Sequence, residues 1–237
     1  MKRTFLRCLG RQAVQTLLLA ALALPVCAQQ PTPAERAALL KATVEASQAV
    51  LKQYEWIETT VVSLKGEEKS RKQERCYYGA DGGVQKVEVN RTPEPEKKRG
   101  LRGKIAASKQ EELTDYMKSA IALVKSYVPP NPAKLQIAKD AGKVSIDVLQ
   151  PGKRARLNFR DYEKPGDNLG VEVDLTSNRP LGLKVATYLE EAKDTVTLDV
   201  RMGQLNDGTT YPSDVALDAK AKKLKVTVKN GGYRKTS

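Results

Sequence analysis

The second half of the chain alternates aliphatic and polar residues in short runs, and a turn signal ends nearly every run. From Val144 onward these signals fall at 151–152, 165–168, 178–180 and 206–208. Because side chains two apart on a strand point to the same face, this period predicts strands with one apolar and one polar face. Closely spaced strands joined by tight turns predict an antiparallel meander.

The first half adds further strands. Residues 54–64, 71–79 and 84–89 are β-branched, aromatic or alternating, and the Asp-Gly-Gly sequence at 81–83 is a hairpin signal. A short alternating run at 135–137 counts as one more strand. The sequence thus predicts about eleven strands, and so long an antiparallel sheet must curl.

Two helices are expected to cover this sheet. The first has Thr32 as its N-cap and runs to about Leu51, and the second starts at Ser108 and ends before Pro129. The second helix carries an apolar stripe at helical spacing, formed by Leu113, Met117, Ala120, Ile121, Val124 and Val128. We therefore predict an α+β fold, an open and strongly curved antiparallel half-barrel under two main α-helices.

The first 28 residues have the pattern of a secretory signal peptide. Four basic residues precede an apolar core at 17–24, and Val26, Cys27 and Ala28 form a cleavage site. We expect cleavage after Ala28, export, and a single domain at 29–237. In the alternative interpretation, Cys27 carries a lipid anchor.

The residue types that are missing or rare exclude several chemistries. The chain has no histidine and only three cysteines, which excludes Ser-His-Asp and Cys-His nucleophiles, imidazole ligands and four-thiolate metal sites. The carboxylate pairs Asp161/Glu163 and Glu190/Glu191 are expected to be solvated or in a turn. We therefore expect no enzyme, no cofactor and no metal. Cys76, the one cysteine after the signal peptide, is expected to be a buried small hydrophobe.

An excess of basic residues indicates an anionic partner. The net charge is +13, and it falls to +9 without the first 28 residues, which hold four basic and no acidic residues. Nucleic acid is not the expected partner, because the protein is expected to be exported and its aromatic content is only 5%. The proline- and glycine-rich stretch 93–104 is expected to be an exposed loop. Its candidates for contact with an anionic membrane are Lys97, Lys98, Arg99, Leu101, Arg102 and Lys104. Alternatively, the stretch is a solvated linker whose leucine packs on the body.

The inward positions of the later strands are almost wholly aliphatic, which favours a lipid-compatible cavity in a wide barrel. The alternative is a two-layer sandwich in which the helices fill that space and these residues are plain core. The cavity candidates are Val171, Val173, Leu183, Val185, Leu198 and Val200 on strands, with Met117, Ile121 and Val124 on the second helix.

The order of these elements, together with a closing segment at 204–212 and the strands around Val215, Leu217 and 224–228, resembles the periplasmic LolA/LolB-like superfamily. That superfamily includes outer-membrane lipoprotein-sorting and RseB-like proteins. The resemblance implies an unclosed barrel with a helical lid, and a monomeric periplasmic carrier or sensor that shelters acyl chains of a lipid or lipoprotein. A non-catalytic envelope-assembly or stress-signalling protein on the same fold is the alternative.

Overall fold

The computed structural model describes residues 33–92 and 101–236, with side chains described from 39 and from 107 onward in the two segments. The predicted signal peptide, Cys27, Lys97, Lys98 and Arg99 lie outside these ranges. No helix of the described segments is long and apolar enough to cross a membrane.

Three helices and ten strands make up the described chain. The helices are α1 (Pro33–Leu51), α2 (Leu101–Lys125) and α3 (Pro132–Asp140), with a short 3₁₀ turn at Lys220–Lys222. The strands are β1 (Tyr54–Leu64), β2 (Glu67–Tyr78), β3 (Val84–Arg91), β4 (Val144–Gln150), β5 (Arg154–Arg160), β6 (Asn168–Asp174), β7 (Arg179–Tyr188), β8 (Thr195–Gln204), β9 (Thr210–Ala219) and β10 (Leu224–Lys235).

All ten strands form one antiparallel sheet in the order β3-β2-β1-β10-β9-β8-β7-β6-β5-β4. Every neighbour is consecutive in sequence except β1 and β10, whose pairing joins the meander β1–β3 to the meander β4–β10. β3 and β4 remain as the two edges, so the sheet is open. The predicted fold class, an α+β fold with an open antiparallel half-barrel under helices, is confirmed.

The hydrophobic core lies between one face of the sheet, called the inner face below, and the helices. Ala120, Val124 and the buried ring of Tyr127 pack with strand residues such as Leu169 and Leu198. Fully burying a leucine stabilises a fold by about 1.5–3 kcal/mol. The stripe predicted for the second helix therefore fixes which face of the sheet is inside.

The strand predicted at 135–137 is wrong, because these residues belong to α3. The side chain of Asn131 caps this helix by accepting a hydrogen bond from the Ala133 backbone N–H at 2.9 Å, and Pro132 occupies its first turn. These are two helix-start signals, and they outweigh a short apparent alternation. The sheet has ten strands for this reason.

Two element ends also differ from the prediction. α2 begins at Leu101 instead of Ser108, so Leu101, Arg102 and Lys104 are helical and not part of a loop. A glycine inside a helix costs only about 1 kcal/mol, and helix-forming residues follow Gly103. β10 runs past two glycines to Lys235, because a register shift against β1 and a positive φ at Gly232 let the strand continue.

Candidate functional site

Helix α2 is fastened at one end of the inner face. The Tyr116 hydroxyl donates to Asp194 Oδ1 at 2.5 Å, and Lys222 Nζ lies 2.6 Å from Glu112 Oε1. Asp194 lies in the turn between β7 and β8, and Lys222 follows β9. Both turns are at the same end of the sheet, because Val196 pairs with Ala219. We call this the α2 end.

Tyr127 fastens the segment after α2 to the same end. Its hydroxyl donates to Asp167 Oδ2 at 2.5 Å and lies 2.9 Å from Thr187 Oγ1. Burial, and then the hydrogen bond to Asp167, raise the pKa of Tyr127 far above its usual value, so the phenol stays protonated. Asp167 also accepts hydrogen bonds from the backbone N–H groups of residues 162–164.

Helix α1 is attached at the opposite end of the sheet. Ser47 Oγ accepts a hydrogen bond from the Thr210 backbone N–H at 3.2 Å and lies 2.9 Å from Thr210 Oγ1, and both residues are buried. Thr210 begins β9 after the β8–β9 turn. The Tyr54 hydroxyl donates to Asp207 of that turn at 2.6 Å. The two helices therefore cover opposite ends of the inner face.

Between the two ends, a single row of aliphatic side chains crosses seven strands, and we call it the apolar strip. Each member is paired directly with the next one on the neighbouring strand, from β4 to β10. The members are, in this order, Ile146, Leu157, Val171, Leu183, Val200, Val215 and Val228. Six strand spacings of about 4.8 Å give the strip a length of roughly 29 Å along the sheet.

The apolar strip is less covered than the row beside it. The neighbouring row under α2 is buried throughout, and it comprises Phe159, Leu169, Val185, Leu198, Leu217 and Val226. In the strip, only Leu183 and Val200 are buried, each 9% exposed. Leu157, Val171, Val215 and Val228 are half-buried, and Ile146 on the edge strand is 63% exposed. The strip thus offers apolar surface to a ligand, with its open end at β4.

The nine predicted cavity residues gather around this strip. Val171, Leu183 and Val200 belong to it, Val173 is buried in the next row toward α1, and the remaining five lie in the core against α2. Those five are Val185, Leu198, Met117, Ile121 and Val124. Sequence reasoning missed Ile146, Leu157, Val215 and Val228. The alternation placed each of them on the inner face, but only the strand register shows that they form one row.

The predicted membrane-contact residues are described only in part. Leu101, Arg102 and Lys104 lie in the first turn of α2, and the structure describes their backbone. Their role, and that of Lys97, Lys98 and Arg99, stays a prediction.

Beyond Val228 the inner face becomes charged. Val228 pairs with Thr60, and Thr60 pairs with Lys72. Lys72 Nζ lies 2.6 Å from Glu74 and 3.7 Å from Glu88, and Lys86 Nζ lies 2.5 Å from Glu58. Burial is the largest single effect and lowers the pKa of Lys86, but the hydrogen bond from its ammonium to Glu58, together with the negative charges of Glu58 and other nearby groups, outweighs burial and raises the pKa. We call Glu58, Lys72, Glu74, Lys86 and Glu88 the inner charged cluster.

Sequence reasoning missed the inner charged cluster. Its signal is the spacing Lys-x-Glu, which occurs at 72–74 and again at 86–88. The alternation alone marks such positions as polar and therefore as solvent-facing. Only the pairing of β1 with β10 places them on the inner face.

The outer face carries a ladder of ion pairs. Arg156 Nη2 lies 2.6 Å from Glu172, Lys184 Nζ lies 3.3 Å from Asp199, and Arg201 pairs with an aspartate on β9 at 3.5 Å. A shallow depression of about 730 Å³ lies among these residues. Because its charged groups are paired with one another across strands, this face is a solvated exterior.

The carboxylates considered for acid–base chemistry take part in local contacts. Lys143 Nζ lies 3.2 Å from Asp161, and Lys134 Nζ lies 2.5 Å from Glu163. The backbone N–H of Gly166 and the nearby lysine lower the pKa of Asp161. These contacts connect the β5–β6 turn to Lys143, which precedes β4, and to Lys134 of α3.

The fold and the site define an open α+β half-barrel with an accessible apolar strip on its inner face. No protein-family model matches the chain, and no curated protein matches it. Among solved structures, it is similar to a LolA superfamily protein from Nitrosomonas europaea, with 7% identity over 84% of this chain and 94% of that chain, and a TM-score of 0.33. It is also similar to a DUF1329 family protein from Desulfovibrio piger, with 8% identity over 83% and 92%, and a TM-score of 0.32. The first of these belongs to the superfamily that the order of elements in the sequence resembles.

Proposed function

We propose that this protein binds acyl chains of a lipid or lipoprotein along the apolar strip, as a non-catalytic periplasmic carrier or sensor. The observation that carries the proposal is the row of seven opposed aliphatic residues, half-open between two helices at opposite ends of the inner face. If these residues served only as hydrophobic core, we would expect the helices to bury this row as fully as the row beneath α2.

The length of the strip suits a long acyl chain. A single leaflet chain spans about half of the roughly 30 Å hydrocarbon core of a bilayer, so one chain fits within the strip. Each buried methylene contributes about 0.8 kcal/mol, and association costs about 4–15 kcal/mol. Ten methylenes therefore contribute about 8 kcal/mol, near the middle of that range, and sixteen contribute about 13 kcal/mol, near its upper end. Long chains are the expected ligands.

Loading and release follow from the attachment of the helices. Side-chain hydrogen bonds of Glu112, Tyr116 and Tyr127 hold the segment from α2 to Tyr127 on the sheet. In the described part of the chain, α1 is held to the sheet by side-chain hydrogen bonds between Ser47 and Thr210. Moving α1 away from the sheet therefore costs less free energy than moving α2. The basic residues of 97–104 would hold the protein at an anionic membrane while a chain passes the exposed β4 edge.

A second candidate function is suggested by the edge strand β4. Ile146 and Val148 on this strand are 63% and 65% exposed. An exposed apolar edge can accept a strand from a partner protein. This surface favours the alternative of an envelope-assembly or signalling partner.

Displacement of a fluorescent long-chain fatty acid tests the proposal. Val215→Gln places an amide in the strip, and Val61→Gln places the same amide at a half-buried valine on the outer face of β1. We expect Val215→Gln to weaken binding about tenfold, the equivalent of roughly two methylene contacts, and Val61→Gln to leave it unchanged. Equal thermal unfolding would show that both variants fold. If the unmodified protein binds no fatty acid and carries no lipid in native mass spectrometry, the proposal is wrong.

A further inference from the structure

The apolar strip ends against the inner charged cluster. The row that contains Val228 continues through Thr60 to Lys72, and the next row runs from Asn230 through Glu58 and Glu74 to Glu88. The row of the strip is therefore aliphatic over β4–β10, and the two rows together carry charged residues where they cross β1–β3. A long ligand that follows the strip meets charge at this end and at no other point of the row.

The cluster residues on β1 and β2 are partly shielded from solvent, whereas Lys86 and Glu88 on β3 are exposed. The side chains of Glu58 and Glu74 are only 14% and 12% exposed, and Lys72 is half-buried. Removing such groups from water costs free energy, and an apolar pair at the same positions would often be more stable. The stability of the fold therefore does not explain why these positions carry charged residues.

Protection of the sheet edge explains only part of the cluster. Inward-pointing charges on an edge strand prevent unwanted pairing between sheets, and Lys86 and Glu88 on β3 fit that role. Lys72 and Glu74 lie on β2 and Glu58 lies on β1, so all three are on interior strands. A different role is needed for these residues.

We propose that the ligand is a zwitterionic phospholipid whose acyl chain follows the apolar strip and whose headgroup lies in the inner charged cluster. Lys72 and Lys86 would pair with its phosphate, and Glu58 and Glu88 with its ammonium group. The ring of Tyr78 packs on Trp56, 5.8 Å between centroids, beside this cluster, and aromatic faces also attract ammonium groups. The cluster holds three glutamates and two lysines, so a zwitterionic headgroup leaves its formal charge of −1 unchanged, whereas an anionic headgroup would add to the negative charge. This inference rests on the proposed function and adds the ligand class and its orientation.

Competition between two lipids with identical acyl chains tests the inference. Phosphatidylethanolamine and phosphatidylglycerol would each displace the fluorescent fatty acid from the unmodified protein. We expect the zwitterionic lipid to compete about fivefold better, roughly the effect of one partly exposed ion pair. The double variant Glu58→Gln with Glu88→Gln should lose or reverse this preference, because the lysines are then left to attract the anionic lipid. The matched control, Asp199→Asn with Asp218→Asn, removes the same charge from the outer face and should keep the preference.

The outcomes separate the two proposals. Binding of the fatty acid with equal competition by both lipids overturns the headgroup site and leaves acyl-chain binding in place. The headgroup site is also overturned if the Glu58/Glu88 variant keeps the preference for the zwitterionic lipid. The same holds if the outer-face control loses that preference to the same extent. Absence of fatty-acid binding by the unmodified protein overturns acyl-chain binding, and the headgroup site with it. Because the fatty acid needs only the strip, unchanged binding of it by the double variant shows that the variant is folded.

Discussion

The hydroxyl of Tyr127 lies 2.5 Å from Oδ2 of Asp167, and both residues are buried. This contact ties the segment that follows α2 to the turn between β5 and β6. Thr187 on β7 completes the contact at 2.9 Å from the same hydroxyl. One side chain thus holds the helical cover to two neighbouring parts of the sheet.

Loss of the Tyr127 hydroxyl should therefore destabilise the fold. Tyr127→Phe keeps the packing of the ring but leaves the buried Asp167 oxygen short of a donor, which costs about 1–3 kcal/mol. For a chain of this size we expect thermal unfolding to fall by about 5 °C, as measured by circular dichroism. Tyr188→Phe is the matched control, because the hydroxyl of Tyr188 makes an exposed hydrogen bond to Pro165 and its loss should change little. Equal melting temperatures for the two variants would contradict the prediction.

Gly182 should tolerate no side chain. A Cβ at this position would lie 2.7 Å from the backbone oxygen of Val200, a contact that a paired strand cannot relieve without shifting. We expect Gly182→Ala to reduce the free energy of urea unfolding by about 1–3 kcal/mol. Gly231→Ala, where no atom lies within 4 Å of the added carbon, is the control and should remain close to the unmodified protein.

Asp207 should make stability depend on pH in the acid range. The hydrogen bond from Tyr54, and then those from Thr209, lower the pKa of Asp207 to about 2. A carboxylate whose pKa is lowered by folding stabilises the folded state above its unfolded pKa, near about 4. That contribution is lost as the pH falls from about 4 toward about 2. The stability difference between the unmodified protein and Asp207→Asn should thus be constant above pH 5 and shrink toward zero near pH 2.

Urea unfolding at a series of pH values measures this difference. The same comparison in a Tyr54→Phe background should depend less on pH, because the largest cause of the lowered pKa has been removed. A difference that stays constant down to pH 2 in both backgrounds would show that Asp207 is not stabilised by folding.

Cys76 should be nearly inert to thiol reagents in the folded protein. Burial, and then the charge of Glu58, raise the pKa of the thiol to about 11, and its side chain is fully buried. At pH 8 the fraction of thiolate is about two hundredfold lower than for a free thiol with a pKa of about 8.5. With Cys8 and Cys27 replaced by serine, we expect labelling by a maleimide to accelerate at least that much in denaturant. An added exposed thiol, Ser177→Cys, should react quickly in both conditions.

Much of the sheet could be predicted from the sequence, because the period of the strands is local. Alternation assigns each residue of a strand to one of two faces, and it correctly placed Leu157, Val171, Val200 and Val215 together on one face. The burial of Cys76 followed from its residue type. The apolar stripe of α2 could also be predicted from the sequence, since its helical period differs from the period of the strands.

The strand at 135–137 shows where local pattern is too weak. Three residues fit a strand or a helix equally well, and the cap at Asn131 with Pro132 decided between them. The start of α2 was missed for a related reason, because Gly103 resembles a loop residue and is tolerated inside a helix.

By itself, therefore, the sequence determined the ten strands of the sheet apart from the false strand at 135–137, together with their turns, their apolar faces and the α+β fold class. The tertiary structure alone decided that β1 pairs with β10, that seven aliphatic residues from seven strands form one row, and that this row continues through Thr60 to Lys72. The physical reason is that a face is set by a period of two within one strand. Neighbours and register, in contrast, are set by contacts between strands far apart in sequence, and a site on the inner face exists only when those contacts are made.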